Sequence, residues 1–564
     1  MNKDNQNQAI LLTGNRTLLV DGLVSLALIV GIYIYSSLYV DFSIPPFEDA
    51  AMLMRYADHL AKGDGIVWNV GEAPVDGATD FLFMVSSAGL INLGATVGRA
   101  VRGLGYASHI LSVLLIYWTC RYLWRANVWM SVLSALYLAV GTGLSYVAAY
   151  FGTPFFALAV TCTWILGLML VHQSNESFWM SLAFSLAGLI TGLIRPEGAI
   201  LAILMFVSLI LWRNPNRSRV LIATFISTFL IFGGAYFLWR WSYFGQPLPN
   251  PFYRKGGGLL YWDSFNASLL NTFRLSLPFF LAFLLGLRSK ETAKLTGLFL
   301  LPIIGFAAAF VLISDETNYG ARFQYATVPL VLLTWYPLVK ELQIKAQPAS
   351  PGGKDGGKSN WERIIFIAGA FSIFTALIYY AWQQNCSLTS FQRDCTTPYE
   401  SDGRYDLGKV LSEYRDRNYV LATTEAGLLP YYSGWTTVDT WGLNDQWITQ
   451  NGEVTEEYLD RYHPHVIAFH AHFSPLVPPK LTEPNLAQDW FRMTITLMNY
   501  AEKRGYLLAA IFGDSPYESH YYYVRPDFED SARIYRQIST MTRYYWYYTG
   551  KKSINYANWQ PTNE

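Results

Sequence analysis

The chain runs to 564 residues, of which 52% are hydrophobic, 16% aromatic and only 15% charged, and its 41 basic and 41 acidic side chains cancel to a net charge of zero. Soluble proteins carry about 25% charged residues, so an ordinary soluble domain over the whole length is excluded, and the neutral balance offers nothing to attract a nucleic acid. The deficit of charge is concentrated between Leu18 and Trp382, in apolar runs close to the roughly 20 residues that span hydrocarbon, which predicts a polytopic α-helical membrane protein.

Taken in order, a short polar start (Met1 to Arg16) precedes "LLVDGLVSLALIVGIYIYSSLYV". That run is too long for a signal-peptide core and has no small-residue cleavage site behind it, so it reads as a retained first span. An acidic loop follows at 41–80, then apolar segments at 81–98, 104–124, 127–150, 154–173, 178–194, 198–212, 219–242, 273–288, 293–313, 323–339 and 362–382. Lys and Arg in short loops set orientation. They gather at Arg121 and Arg125, at Arg213, Arg217 and Arg219, at Arg288, Lys290 and Lys294, and in a Gly/Pro/Ser-rich linker, 340–361. With these four places cytoplasmic, "GTPFF", "RPEG", "GQPLPNPFYRKGGG" and "SDETNYGARF" lie outside, as does everything after Trp382. The acidic loop also belongs outside, which requires an odd number of crossings before Arg121. Either 81–98 or 104–124 is then re-entrant or interfacial, and about eleven spans result.

Beyond Trp382 the character changes. Residues 383–564 are polar and aromatic, and short apolar runs such as "NYVLATTEAGLL", "HVIAFHAHF" and "GYLLAAIFG" alternate with helical stretches such as "AQDWFRMTITLMNYAEKRG". A segment of this size can bury its own core, so a small extracytoplasmic α/β domain is expected. Cys386 and Cys395 lie at its start, where an oxidising space would permit a disulfide, while Cys120 and Cys162 lie in apolar runs. The histidines of "HPHVIAFHAHF" include His470 and His472, two apart on one face of a strand. Metal sites use such a spacing, but no carboxylate partner is fixed by it, and strand-end histidines are the plainer reading.

The acidic loop holds Glu48, Asp49, Asp58, Asp64, Glu72, Asp76 and Asp80. Carboxylates beside a bilayer are costly and usually have a use. Residues 48–62 predict a short amphipathic helix on the membrane surface, stopped by Gly63, with Glu48 and Asp49 at the N-terminus where the helix dipole favours negative charge. Two readings stand: the acids cap the helix, or one is a general base at the water–lipid boundary.

From Glu48 onward the residues also resemble something known. Two acids, "RYA", and then "G-x-G-[IL]-V-[WF]-N-x-G-E-x-P-V-[DE]-G-x-T-x-F-L" are similar to the first outer loop of C-type (GT-C) membrane glycosyltransferases. Within these the resemblance points to the mycobacterial terminal β-arabinofuranosyltransferase family and its uncharacterised bacterial relatives. It runs through Arg55, Tyr56, Asn69, Gly71, Glu72, Pro74 and Gly77, and continues in "RPEG" at 195–198, "LPNPFYRK" at 248–255, "ARFQYATVPL" at 321–330 and "DTWGLND" at 439–445. Departures are Glu48 where the family has a first aspartate, Gly152-Thr153 where relatives have Glu-Thr, and Pro251 where they tend to Thr.

The resemblance implies a GT-C-like domain over 1–382. It also implies transfer of a hexose or pentose from a polyprenyl phosphate to a glycan, lipid or glycoprotein acceptor, with inversion, at the outer face of a bacterial inner membrane. It implies that one of the two acids is the base; Asp49 is preferred, Glu48 second. Charge developing on the leaving phosphate calls for cations, and Arg195, Arg254, Lys255 and Arg322 are the candidates. Arg55, Tyr56, Asn69, Glu72, Asp76, Asn250 and Tyr253 are candidates for substrate contact, though Arg55 equally suits a pairing with Glu48 or Asp58, and Asn444 and Asp445 serve as well as loop caps. No cofactor is required; a divalent cation, Ca²⁺ or Mg²⁺, is compatible with the outer carboxylates. A transporter or flippase of lipid-linked sugars is the alternative, and would call for paired repeats and charges at mid-bilayer; no repeat stands out.

Overall fold

The computed structural model describes residues 3–173, 176–213, 218–255, 260–288, 290–312, 318–345, 403–471, 486–515 and 518–541. The apolar segment 362–382, most of the 340–361 linker, His472, Cys386 and Cys395 lie outside the described residues. The chain divides into two compact units: Met1–Phe42, Arg102–Gly234 and Tyr261–Ser390 form one, and Ser43–Val101, Ala235–Leu260 and Phe391–Glu564 the other. This differs from a single break after residue 382, because the acidic loop and the stretch after Ala235 carry polar groups whose partners lie in the C-terminal region.

Among the described residues eight helices are long and apolar enough to cross a bilayer: Thr17–Tyr39, Val97–Tyr122, Val128–Ala148, Thr153–His172, Pro196–Arg213, Arg219–Phe244, Trp262–Arg288 and Thr292–Leu312. Phe178–Ile194 and Phe81–Asn92 are apolar but shorter. Phe81–Asn92 has 12 residues, and at 1.5 Å per residue it reaches about 18 Å, so of the two segments competing for the odd crossing it is the one too short to span.

The first unit is helical. Apolar helices gain little from one another by the hydrophobic effect in lipid, and close approach and buried hydroxyls hold them together instead. A side chain on Gly167 would come within 2.8 Å of Leu209. Ser208 donates to the Leu298 carbonyl at 2.6 Å, and the hydroxyls of Thr163 and Thr191 meet at 3.0 Å. Asp21, fully buried in the first span, is matched by Arg121 Nε at 2.9 Å and by the hydroxyls of Tyr117 at 2.7 Å and Tyr122 at 2.8 Å. Every charge introduced into that span therefore has a partner, as the cost of an isolated one requires.

The second unit contains a five-stranded sheet. β1 (Val420–Thr423) pairs in parallel with β2 (Thr436–Asp439) and β3 (Val466–Ala471), while β5 (Glu518–Val524) runs antiparallel to β3 and β4 (Leu507–Ser515), giving the order β2-β1-β3-β5-β4. The apolar runs recognised in the sequence hold β1, β3 and β4, and helix Leu486–Lys503 holds the amphipathic stretch. Alternation along β3 sends Ile467, Phe469 and Ala471 to one core with Tyr458, Leu497 and Tyr521. Val466 and Ala468 go to the other, with Trp435, Phe512 and Ile534. Both faces are covered, which is why these strands read as continuous apolar runs.

Helix Glu48–Lys62 forms where the periodicity places it, and Gly63 ends it in a left-handed conformation (φ 88°). Its environment differs from the expectation. Ala51, Tyr56 and Ala57 are fully buried, and the helix packs against Phe81–Asn92 and Leu428–Ser433. Protein, rather than a lipid surface, covers its apolar face, because an alanine-rich face is flat enough for other helices to approach closely.

Candidate functional site

The two acids that open helix Glu48–Lys62 have different surroundings. Glu48 Oε1 accepts from the backbone N–H groups of Gly427 at 2.5 Å and Leu428 at 3.1 Å, the first donors of helix Leu428–Ser433, while Oε2 faces Arg404 Nη1 at 3.2 Å. The same guanidinium reaches Glu425 Oε2 at 2.9 Å. Gly427 is glycine for a steric reason, since a Cβ there would overlap the Glu48 carbonyl. Glu48 thus joins the first outer loop to the end of β1, a use the sequence left open between cap and base. Asp49 lies beside it in the first helical turn and is partly exposed.

One guanidinium serves two carboxylates, and the proton distribution follows. Burial, together with the charge of Glu425, pushes Glu48 up to about 8 against the pull of Arg404 and the two N–H groups. Burial also raises Glu425, but Arg404 and two histidines outweigh it and hold that carboxyl well below the usual range. The folded chain therefore keeps a proton on Glu48 over a window, from 4.5 to about 8, in which the unfolded chain has released it. Folded protein binds more protons there, so stability declines as pH rises through the window. Glu48→Gln, which keeps the shape but cannot ionise, is expected to flatten that decline. Melting followed by tryptophan fluorescence at pH 5 and pH 8 checks this: an unchanged difference between the two pH values would show that Glu48 is ionised throughout.

Several of the positions matched by the resemblance have polar atoms paired within the protein. Arg55, 4% exposed, does not pair with Glu48 or Asp58. Its Nε donates to Trp68 O at 2.8 Å, Nη1 to Pro430 O at 2.6 Å, and Nη2 to Asn69 Oδ1 and Trp435 O at 2.9 Å each, with the guanidinium 4.6 Å from the Trp68 ring centre. Four of the five N–H donors of the fork are thus taken by protein. Asn69 also accepts from Thr437 N and donates to Thr437 O and to Glu72, pinning the loop to β2. Tyr56 donates to Asn444 Oδ1 at 2.9 Å. Asp76 pairs with Arg240 at 2.5 Å and takes the Asn250 N–H on its carbonyl. Asn250, fully buried, donates to Gly442 O at 2.6 Å, Leu443 O at 3.1 Å and Thr449 Oγ1 at 3.1 Å. Tyr56, Asn69 and Asn250 therefore fasten the "DTWGLND" loop and β2, and Asp76 holds Asn250 through its backbone carbonyl. Glu72 and Tyr253 remain exposed.

The loop they fasten has its own hub. Asp439 accepts from the N–H groups of Trp441, Gly442 and Asn444 and from Asn444 Nδ2, while burial raises it to about 6. Asp445 caps helix Gln446–Asn451 through Ile448 N at 3.0 Å and accepts from Tyr458, which favours the loop-cap reading. Arg254 lies 3.8 Å from the Trp441 ring centre and donates to Gly452 O at 2.9 Å. Lys255 follows it at the end of helix Asn250–Lys255.

In the helical unit Arg195 and Arg322 come together. Each guanidinium lies 5.1 Å from the Phe323 ring centre. Arg195 also donates to Glu197 Oε1 from Nε at 3.0 Å and Nη2 at 2.7 Å, and Arg322 lies over Phe151 at 4.2 Å. Sequence reasoning missed a third cation, Arg102. It donates to Phe42 O at 2.7 Å and to the Tyr150 hydroxyl, and stands 4.2 Å from the ring centre of Tyr150. Tyr150 has φ 65°, a left-handed backbone that costs a bulky residue about 1–3 kcal/mol and tends to occur at functional sites. It directly precedes "FGT", which carries the Gly152-Thr153 departure. Arg404 and Glu425 were missed as well: a lone arginine before a helix and a lone glutamate after a strand carry no spacing signal.

His470 pairs across the β3–β5 ladder with His520.

Residues 393–544 match a family described as Domain of unknown function (DUF8728). No curated protein matches the sequence. Among solved structures, ArnT from Cupriavidus metallidurans bound to undecaprenyl phosphate is similar with a TM-score of 0.57 at 12% identity, over 89% of this chain and 98% of ArnT. The fold is that of ArnT. ArnT in the apo state gives a TM-score of 0.52 at 13% identity, over 90% and 98%. The ArnT likeness, with the apolar helices and the sheet-bearing C-terminal region, bears out the expected polytopic helical membrane protein with a C-terminal domain.

Proposed function

We propose that this chain is a glycosyltransferase that moves a sugar from a polyprenyl-phosphate donor to an acceptor hydroxyl at the outer face of a bacterial inner membrane. The observation that carries the proposal is the ArnT fold over nearly the whole chain, ArnT having been captured with undecaprenyl phosphate. The first-loop pattern beginning at Glu48 and Asp49 supports the same class. In this reading Asp49 takes the proton from the acceptor hydroxyl as its oxygen bonds to the anomeric carbon and the bond to phosphate breaks on the opposite side, which inverts the configuration. Arg195 and Arg322, both against Phe323 in the helical unit, are the first candidates for the charge on the departing phosphate, and Arg254 and Lys255 are the candidates from the other unit. The resemblance to terminal arabinofuranosyltransferases favours a pentose, with the acceptor a glycan, a lipid or a glycoprotein of the envelope; the step requires no cofactor and is compatible with a divalent cation, Ca²⁺ or Mg²⁺.

The test is direct. Purified full-length chain is incubated with polyprenyl phosphates loaded with labelled pentoses and hexoses and with an envelope extract as acceptor. Label should pass to a water-soluble or lipid acceptor with release of polyprenyl phosphate. Movement of the labelled lipid between leaflets without transfer would replace this reading by that of a flippase.

A further inference from the structure

We infer that Glu425, His470 and His520 form a binding site for a borderline divalent cation of the zinc type in the sheet-bearing unit. His470 and His520 are direct partners across β3 and β5, with rings parallel within 6° and centres 4.3 Å apart. Glu425 follows the C-terminal end of β1, the parallel neighbour of β3, and its Oε1 lies 3.2 Å from His470 Nδ1 and 3.8 Å from His520 Nε2. One nitrogen from each imidazole and one carboxylate oxygen thus lie within 4.8 Å of one another. Two ligand atoms at about 2.0–2.1 Å from a tetrahedral zinc are about 3.3 Å apart, so the Glu425–His470 separation already suits one ion, while His520, stacked parallel on His470, reaches the same ion by a turn of its ring.

The surroundings hold the ligands in place. Thr424 Oγ1 accepts from His470 N at 2.9 Å, and Trp490 Nε1 donates to His470 O at 2.8 Å, which fix the backbone on both sides of that ring. Arg404 takes Glu425 Oε2 and leaves Oε1 facing the imidazoles. The Glu425 carboxylate is matched by the single cation Arg404, so an incoming dication meets a neighbourhood with no excess of positive charge. Two nitrogens and one oxygen suit Zn²⁺ and disfavour Ca²⁺ or Mg²⁺, which take oxygen ligands. Two histidines and a glutamate also leave a fourth position open for water or a ligand oxygen. The inference stands apart from the proposed transfer reaction and concerns this unit alone.

Full-length protein in detergent, stripped with a chelator, reloaded with Zn²⁺ and desalted, should retain a single zinc ion per chain by elemental mass spectrometry. His470→Ala and the double substitution His470→Ala/His520→Ala should lose it, with tryptophan-fluorescence melting of the stripped forms unchanged. Should a variant fail to fold, the wild type loaded with Co²⁺ decides, since a mixed nitrogen–oxygen tetrahedral site gives visible ligand-field bands that Zn²⁺ abolishes. Wild type retaining no more zinc than the double variant, or Co²⁺-loaded wild type without those bands, overturns the site and leaves an ion-paired glutamate between two imidazoles.

Discussion

Asp49→Asn is expected to cut sugar transfer by about 10²- to 10⁴-fold, the usual contribution of a positioned base, and to leave the melting midpoint within a degree or two of wild type. Asparagine keeps the size of the side chain but cannot accept the proton. Glu48→Gln supplies the control: Glu48 is bound to Gly427, Leu428 and Arg404, so its substitution should act mainly on stability and its pH dependence. The assay is initial rate at saturating polyprenyl-phosphate donor, with donor binding measured separately. If Asp49→Asn transfers at more than a tenth of the wild-type rate while Glu48→Gln is inactive but folded, the roles of the two acids are reversed. If both remain active, the base lies elsewhere.

Arg55→Ala should be the most destabilising single change in the first outer loop. The substitution strands the carbonyls of Trp68, Pro430 and Trp435 and one side of Asn69, all buried. Burial lowers the Arg55 guanidinium to about 10, so it remains a cation at neutral pH, and its hydrogen bonds are of the charge-assisted kind. Removing a buried charged partner of this sort costs about 3–5 kcal/mol, equivalent to a fall of about 10 °C in the melting midpoint for a unit of this size. Arg55→Lys, which keeps the charge but loses the fork, should recover only part of it. A midpoint within about 2 °C of wild type for Arg55→Ala would mean that water replaces the guanidinium at little cost.

Most of the architecture was legible because it rests on local patterns. Hydropathy located the spans, and the helix stop at Gly63 and the strands β1, β3 and β4 followed from periodicity. What failed to show was whatever depends on long-range pairing. Arg55, Tyr56, Asn69 and Asn250 form a conspicuous pattern in the loop motifs, and such a pattern suggests substrate contact. Their polar atoms instead meet backbone and side chains some 190 to 390 residues away in sequence. Arg404, Glu425 and His520 carry no motif at all; only the strand order and register bring them to one place. The amphipathic helix was recognised, but nothing in its own residues says whether lipid or protein covers it.

The fastening of residues 43–101 to β2 and to the turn before helix Leu428–Ser433 bears on how the chain matures. Trp68 leaves the ribosome 369 residues ahead of its partner Thr437 in β2, so during synthesis Trp68, Asn69 and the Arg55 guanidinium lack the partners that Pro430, Trp435 and Thr437 supply. The half-made unit exposes apolar and polar groups together until translation is nearly over, a state prone to capture by other chains. A truncation anywhere before β2 would leave the loop permanently unclosed. Conversely, a fragment limited to residues 393–544 would begin its life with the Pro430 and Trp435 carbonyls uncovered.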